Sequence, residues 1–340
     1  MNSSTVARAV GVSQSTVSRA LRGDPRVREE TRRLIEETAE RLGYRSAWAA
    51  PPPPPPSHSR TIGVVVSDLT NPFFPTLLTP VHDELQIMGY RVVLFAERTD
   101  IPTGQEALVN LLNRSIDGVL VTTATLDSRL GEALAERHLP VVLLNRYVDG
   151  MDVDRVIADN YQGGRAAARH VLDLGHRSVG VIRGPANTST SRDRYAGILD
   201  GFAAAGAALD GRFVREGPYS HQSGYQNARE LLRPPAPPTA LICGNDVIAF
   251  GALDAVKSLG LGVPADVSVL GFDDVPMASW EVFQLTTVRQ PLAEMARTAA
   301  RLLVERIEHD GGIATGRERL FATSLVQRST THAPQPRRGT

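Results

Sequence analysis

Residues Ser4 to Arg22, STVARAVGVSQSTVSRALR, have the spacing of two short helices joined by a tight turn. Ala7 falls where the second helix crosses the first and a larger side chain would hold them apart. Gly11 can take the positive φ that opens the turn, and Val17 plugs the seam from the second helix. This is the pattern of a helix-turn-helix, which lays its second helix in a DNA major groove. Ser13 suits the N-cap of that helix, so Ser13, Gln14, Ser15, Thr16, Ser18 and Arg19 project from its first turns. Arg22 and Tyr44 complete the expected DNA-facing set. Hydroxyl, amide and guanidinium groups there suit base edges and phosphates.

An ordinary amphipathic hairpin would share some of this pattern, but the neighbouring residues argue against it. A third periodic segment, Val27, Thr31, Leu34, Ile35, Thr38 and Leu42, supplies the helix that closes a three-helix core, and it ends at Gly43-Tyr44. Between Met1 and Arg45 nine arginines face six acids, a net +3, whereas the whole chain is neutral. A basic head on a neutral chain has the sign expected of a phosphate-binding module.

The six prolines Pro51 to Pro56 favour polyproline II, a semi-rigid spacer of about 3.1 Å per residue. From Thr61 the chain alternates β-branched runs with helical segments: TIGVVVSD, Pro75 to Met88, RVVLFA, Gln105 to Asn113, GVLVTT, Ser128 to Arg137 and PVVLLN. A second series follows: Gly163 to Leu174, SVGVIRG, Arg192 to Ala205, Gly224 to Leu232, TALICG, Ile248 to Leu259 and VSVLGFD. Strands separated by such helices predict parallel sheets with right-handed crossovers. The fold class expected is therefore α/β: a small all-α three-helix head and a body of two doubly wound parallel-sheet lobes. The expected domains are the head at 1–45, a proline-rich linker at 46–60, the body at 61–330 and a polar tail at 331–340.

With 340 residues at 42% hydrophobic, the chain is long enough for several cores. It has no apolar run of about 18 residues and no charged-then-apolar leader, so a cytoplasmic protein with no membrane partner is expected. Cys243 is the only cysteine. It cannot form an internal disulfide or a cysteine-based metal site, and inside an apolar run it reads as a buried strand residue. Neither a metal nor a cofactor is expected.

The stretch V-A-x-x-x-G-V-S-x-S-T-V-S-R-A-L from Val6 to Leu21, with V-x-x-x-T-R at Val27 to Arg32 and L-G-Y at Leu42 to Tyr44, resembles the lactose-repressor/galactose-repressor family of bacterial transcription regulators. The likeness continues along the body. It includes D-L-T-N-P-F-F at Asp68 to Phe74, D-G-V-L-V at Asp117 to Val121, L-N-R at Leu144 to Arg146 and A-D-N at Ala158 to Asn160. L-G-H-R at Leu174 to Arg177, G-N-D at Gly244 to Asp246 and L-G-F-D-D at Leu270 to Asp274 follow in family order. The resemblance implies the periplasmic-binding-protein architecture, in which the chain crosses three times between lobes. Lobe one would take 61–160 and 290–318, and lobe two 161–289 and 319–330.

Two departures stand out. Family members open the first helix with an extra turn, T-I-x-D, that is missing before Val6, and a start site placed a few residues late would account for it. The family's hinge segment, P-N-x-x-A-x-x-L, is replaced by RSAWAAPPPPPP after Tyr44. Proline forbids a hinge helix beyond Ala50, and Trp48 reads as a linker aromatic rather than a minor-groove wedge.

Doubly wound lobes gather their strand ends around one cleft, where ligands bind. Asp68, Asn145, Arg146, Arg194, Asn245 and Asp273 fall on such ends, with Phe73 and Tyr219 nearby. Such a set suits a polyhydroxylated sugar, whose hydroxyls take paired hydrogen bonds and whose ring stacks on an aromatic face. The resemblance implies that Arg194, in R-D-R-Y-A-G, and Asp273 touch the effector, joined in some members by the positions of Thr188, Thr190 and Tyr219. A sugar or sugar phosphate is the expected effector, and the family also senses nucleobases and nucleosides. Structural roles compete at Asp246 as a helix cap, Asn160 as a turn residue, and Phe73 and Phe74 as core.

Catalytic motifs are missing: there is no Gly-x-Ser-x-Gly elbow, phosphate loop or His-x-x-x-His pair, and the eight histidines are scattered. A lone histidine such as His176 or His221 reads as a surface or capping residue. A sugar-transport receptor or a sugar-processing enzyme would share the body, but the first lacks its leader here and the second its catalytic groups. The sequence thus predicts a repressor that binds operator DNA under the control of a small effector. It is expected to be a homodimer, because one helix in one groove reads few base pairs.

Overall fold

The structure is a computed structural model that describes residues 3–21, 24, 26–42, 59–96, 116–127, 139–233, 235–308 and 315–335. The chain divides into two compact units, Met1–Ser59 and Arg60–Thr340. Arg22, Tyr44, Trp48, Pro51 to Pro56 and the helices expected at 105–113 and 128–137 lie outside the described residues.

The first unit holds α1 (Ser3–Val10), α2 (Gln14–Ala20) and α3 (Glu29–Arg41). Val6, Ala7, Val17, Ala20, Val27, Ile35 and Ala39 form its core. Gly11 opens the turn at φ 75°, and Ser13 caps α2 by accepting from the Thr16 N–H at 3.1 Å. Leu34 departs from the sequence reading: it is 51% exposed. At about 100° per residue the stripe through Ile35, Thr38 and Leu42 leaves Leu34 on its flank, where no helix among the described residues covers it.

The second unit contains two six-stranded sheets. The first has strand order β11-β5-β4-β3-β1-β2, built from β1 (Thr61–Val66), β2 (Arg91–Ala96), β3 (Gly118–Val121), β4 (Val141–Leu144), β5 (Asp154–Ala158) and β11 (Glu318–Phe321). Every pairing in it is parallel. β1, β3 and β4 are buried along their whole length, as strands covered on both faces must be. The helices α4 (Phe73–Ile87) and α9 (Leu292–Glu308) belong to this lobe.

The second sheet has order β12-β10-β9-β8-β6-β7, from β6 (Val179–Arg183), β7 (Val214–Glu216), β8 (Ala240–Cys243), β9 (Ser268–Asp273), β10 (Thr286–Arg289) and β12 (Ser324–Val326). It is parallel except for β12, which runs antiparallel to β10 at the edge. Around it lie α5 (Asn160–Asp173), α6 (Ser189–Ala204), α7 (His221–Leu231) and α8 (Asp246–Ser258). Cys243 is buried in β8.

The chain crosses between sheets after β5, after β10 and after β11. The third crossing falls beyond Phe321 rather than at 318, because β11 pairs with β5 from Glu318↔Arg155 to Phe321↔Ala158. Asp154 anchors this return: its buried carboxylate accepts from Arg306 Nη2 at 2.7 Å on α9 and from Arg317 Nη2 at 3.0 Å just before β11. The segment expected as a polar tail is tied in at its start. The Thr331 hydroxyl lies 2.9 Å from His170 Nε2 and the His332 N–H donates to Ser268 Oγ at 3.0 Å. His176 corrects the expectation of a surface histidine: it is 1% exposed, bonded to Thr239 Oγ1 and to the His332 carbonyl.

Candidate functional site

Strand ends and helix starts from both lobes meet around a cavity of about 560 Å³. All ten residues expected at the effector line it: Asp68, Phe73, Asn145, Arg146, Thr188, Thr190, Arg194, Tyr219, Asn245 and Asp273. Phe74, weighed above as core, also lines it, as do Ser67, Asn71, Thr125, Asn187 and Ser220, polar residues that were not singled out in the sequence. Each follows a strand end, so extending the strand-end rule to every polar residue of those loops would have found them.

Lobe one contributes the ends of β1 and β4. Asp68, exposed at the rim, accepts from the Thr70 N–H at 2.8 Å. Asn71 accepts from the Phe73 N–H at 3.0 Å and so starts α4, while Phe73 and Phe74 pack edge to face, with centroids 5.5 Å apart. Asn145 leaves β4 at φ 74°. Its Oδ1 is buried with no hydrogen-bond partner among the described residues. A left-handed residue at the edge of a cavity is the kind of local cost that ligand sites carry.

Lobe two supplies a charged floor. Thr188 caps α6 by accepting from the Ser191 N–H at 3.3 Å, which places Arg194 in the second turn facing inward. The Arg194 guanidinium donates from Nε to Asn160 Oδ1 at 2.8 Å, from Nη1 to the Gly244 carbonyl at 2.6 Å and from Nη2 to Asp273 Oδ1 at 3.2 Å. It also lies 3.7 Å from the centre of the Phe272 ring. Three of its five N–H donors are thereby committed, and the two left are available to the cavity. Close packing fixes its backbone: a Cβ on Gly164 would collide with the Arg194 carbonyl, and one on Gly197 with that of Tyr161.

Asp273 ends β9 at φ 119° and also accepts from Gln290 Nε2 at 2.7 Å. Burial pushes its carboxyl up to about 6, against the lowering influence of Arg194, Gln290 and Asn245. Asp246, at the start of α8, is pushed well above the carboxylate range by burial and then by the charge of Asp273. It accepts from the Val275 N–H at 2.9 Å and from Thr287 Oγ1 at 2.5 Å. The cap of α8 is Asn245, which accepts from the Ile248 N–H. Asp246 therefore serves as a core clamp rather than as the cap.

The outer wall carries Tyr219, whose hydroxyl lies 3.2 Å from Thr190 Oγ1 and whose ring is 5.8 Å from Arg146 Cζ. The cavity walls thus hold two carboxylates, Asp68 and Asp273, and two guanidinium groups, Arg146 and Arg194. Among the described residues no cluster of His, Cys, Asp or Glu has metal-site geometry, and no helix is long and apolar enough to cross a membrane.

In the head, Ser13, Gln14 and Ser15 are exposed and Thr16, Ser18 and Arg19 half-buried along α2. Residues 4–46 match the bacterial regulatory proteins of the lacI family, and residues 59–322 match the periplasmic binding proteins and sugar binding domain of the LacI family. The chain belongs to the LacI family. The HTH-type transcriptional repressor PurR of Erwinia tasmaniensis is 31% identical over 97% of this chain and 96% of its own length. The solved complex of the transcriptional regulator CelR with cellobiose is 30% identical, covers 97% of this chain and 99% of its own, and superposes with a TM-score of 0.74. A LacI family regulator from Enterococcus faecium with bound ribose is 28% identical, with coverages of 81% and 100% and a TM-score of 0.71. As a LacI family member the protein is a DNA-binding transcriptional repressor: its helix-turn-helix binds DNA and its two-lobed body binds a small-molecule effector.

Proposed function

We propose that the effector is a neutral sugar gripped between the lobes, with Arg194, Asp273 and Asn245 on one side and Asp68, Asn145 and Arg146 on the other. The lining of the cavity is the observation that carries this reading, because carboxylates, amides and guanidinium groups from both lobes beside aromatic side chains offer paired donors and acceptors to sugar hydroxyls. Charge balance points the same way. Two carboxylates offset two guanidiniums, and Arg194 is already paired with Asp273, which leaves the floor poorly suited to a phosphate dianion. Phe73, Phe74 and Tyr219 provide faces for a pyranose or furanose ring. Cellobiose and ribose, seen in the two similar structures, are both neutral sugars.

The same proposal assigns base and phosphate contacts to Ser13, Gln14, Ser15, Thr16, Ser18 and Arg19 of α2, with Arg22 and Tyr44 beside them. It places the head at 1–45, the linker at 46–60 and the body from 61, and it describes a cytoplasmic, non-catalytic homodimer that spans two half-sites. A thermal-shift panel of cellobiose, ribose, glucose 6-phosphate and adenosine tests it. A neutral sugar at 100 times its dissociation constant should add about 2.7 kcal/mol of stability. A response confined to the phosphate or the nucleoside would overturn the neutral-sugar reading.

A further inference from the structure

The loop after β4 and the first turns of α6 face each other at the edge of the cleft, and their side chains divide into two sets. Asn145, Arg146 and Arg194 line the cavity. The residues interleaved with them, Tyr147, Asp149, Arg192 and Asp193, bond to one another across the gap between lobes. The Tyr147 N–H donates to Ser189 Oγ at 3.0 Å, and its hydroxyl donates to Asp193 Oδ2 at 2.7 Å. Arg192 donates from Nη2 to that hydroxyl at 2.7 Å, pairs with Asp149 through Nη1, and is held from behind by Asp193 Oδ1 at 3.0 Å from its Nε. Two guanidiniums lie over the Tyr147 ring, Arg155 of lobe one at 4.9 Å and Arg192 of lobe two at 5.5 Å. A backbone bond beside them, from the Leu126 N–H to the Asn187 carbonyl at 2.7 Å, also joins the lobes.

We propose that Tyr147, Asp149, Arg192 and Asp193 form a latch that holds the two lobes in their closed relation and so acts as the set of positioning residues for ligand grip. None of the four lines the cavity. Each lies within three positions of a cavity residue along the chain, so the latch fixes the spacing between Asn145 and Arg194 without occupying their hydrogen bonds. The population of the closed form then scales the apparent affinity of anything bound between the lobes. Loosening the latch lowers that affinity and enlarges the closure that ligand must drive.

The experiment measures lobe separation in the full-length protein, with spin labels at Thr79→Cys on α4 and Gln222→Cys on α7, both exposed. Labelled subunits are diluted into unlabelled ones, and the native Cys243 is buried and escapes labelling. Relative to the parent, Arg192→Ala and Tyr147→Phe should shift the distance distribution to longer values and broaden it, with the larger shift in Arg192→Ala. Tyr147→Phe removes one hydroxyl only and keeps the test valid if Arg192→Ala fails to fold. Parental distances in both variants, with cooperative melting retained, would overturn the latch. The effect on affinity rests on the sugar reading above and is probed with cellobiose and ribose. Should neither sugar shift the parent's melting, that reading fails, while the label distances still decide the latch.

Discussion

Arg194 Nη2 stands 3.2 Å from Asp273 Oδ1 with the two side chains only 6% and 4% exposed, an ion pair placed between the start of α6 and the end of β9. One residue further on, Asp274 turns the opposite way, at φ 57°, and accepts from Arg289 Nε and Arg328 Nη2, each at 2.6 Å. Successive left-handed residues thus send one carboxylate into the cleft and the next into a clamp on β10 and the segment that follows β12. The floor of the site and the closure of lobe two are built from the same strand end. One half of the site thus has its charges paired inside the protein, while the opposing half on lobe one is built around Asn145, held in a left-handed conformation at the end of β4.

Replacing Arg194 by Ala should leave the buried Asp273 carboxylate without its cation, at a cost of about 3–5 kcal/mol. Asp273→Ala should cost less, since Arg194 keeps Asn160 and the Gly244 carbonyl as acceptors. Both variants should lose the thermal shift with sugar and the effect of sugar on DNA binding. Both should keep operator affinity within a few fold when assayed without sugar below their melting temperatures. A full ligand response in either variant would show that the pair is structural only.

The raised pKa of Asp273 makes a prediction about pH. Its folded value of about 6 lies above the ordinary carboxylate value of 3.8, so the group adds stability below 3.8 that is lost as pH rises through about 6. Asp273→Asn carries no proton to lose. Measured by urea unfolding, the stability of Asp273→Asn relative to the parent should therefore rise between pH 4 and pH 7. A difference that stays flat across that window would show that Asp273 is ionised throughout.

The repeating strand and helix pattern made the two lobes legible because each parallel strand is buried on both faces and reads as a continuous apolar run, as in TIGVVV and ALIC. The cleft residues were legible for a related reason: polar groups that directly follow such runs have nowhere to go but the strand-end surface. Long-range pairing was not. Nothing near Glu318 announces that β11 pairs with β5 some 160 residues earlier, because the contact is set by the buried Asp154 and its two arginines. His176 escaped for the same reason, its partners Thr239 and His332 being remote in sequence. Asn160 and Gln290 were missed as supports of Arg194 and Asp273 because amides that orient a charge leave no pattern of their own.

His176 and His170 should shape the acid side of the stability profile. Burial lowers both imidazoles below the ordinary histidine value of 6.5, and a depressed histidine resists the proton that the unfolded chain accepts. The stability they contribute is complete above about 6.5 and declines as pH falls below it. His176→Gln, which retains a donor and an acceptor, should lower stability at pH 7.5 yet reduce the loss on moving to pH 5.5. An undiminished loss in that variant would assign the acid sensitivity elsewhere.

The DNA-reading prediction rests on Arg19. Its guanidinium folds back on its own helix through weak bonds, 3.3 Å to the Ser15 carbonyl and 3.4 Å to Ser15 Oγ, and both are exposed and easily given up to a nucleobase. A guanidinium that pairs bidentately with guanine contributes about 1–3 kcal/mol of discrimination, whereas one that only meets a phosphate acts on all sequences alike. On a duplex selected from a random library, Arg19→Ala should lose about 1–3 kcal/mol of affinity, and on unrelated DNA much less. Arg19→Lys separates charge from geometry: it should keep the affinity for unrelated DNA and its salt dependence but still lose most of the discrimination, because an ammonium cannot match the planar fork. Equal losses of Arg19→Ala on selected and unrelated duplexes, restored by Arg19→Lys, would make Arg19 a phosphate anchor and move sequence reading to Gln14, Ser15 and Ser18.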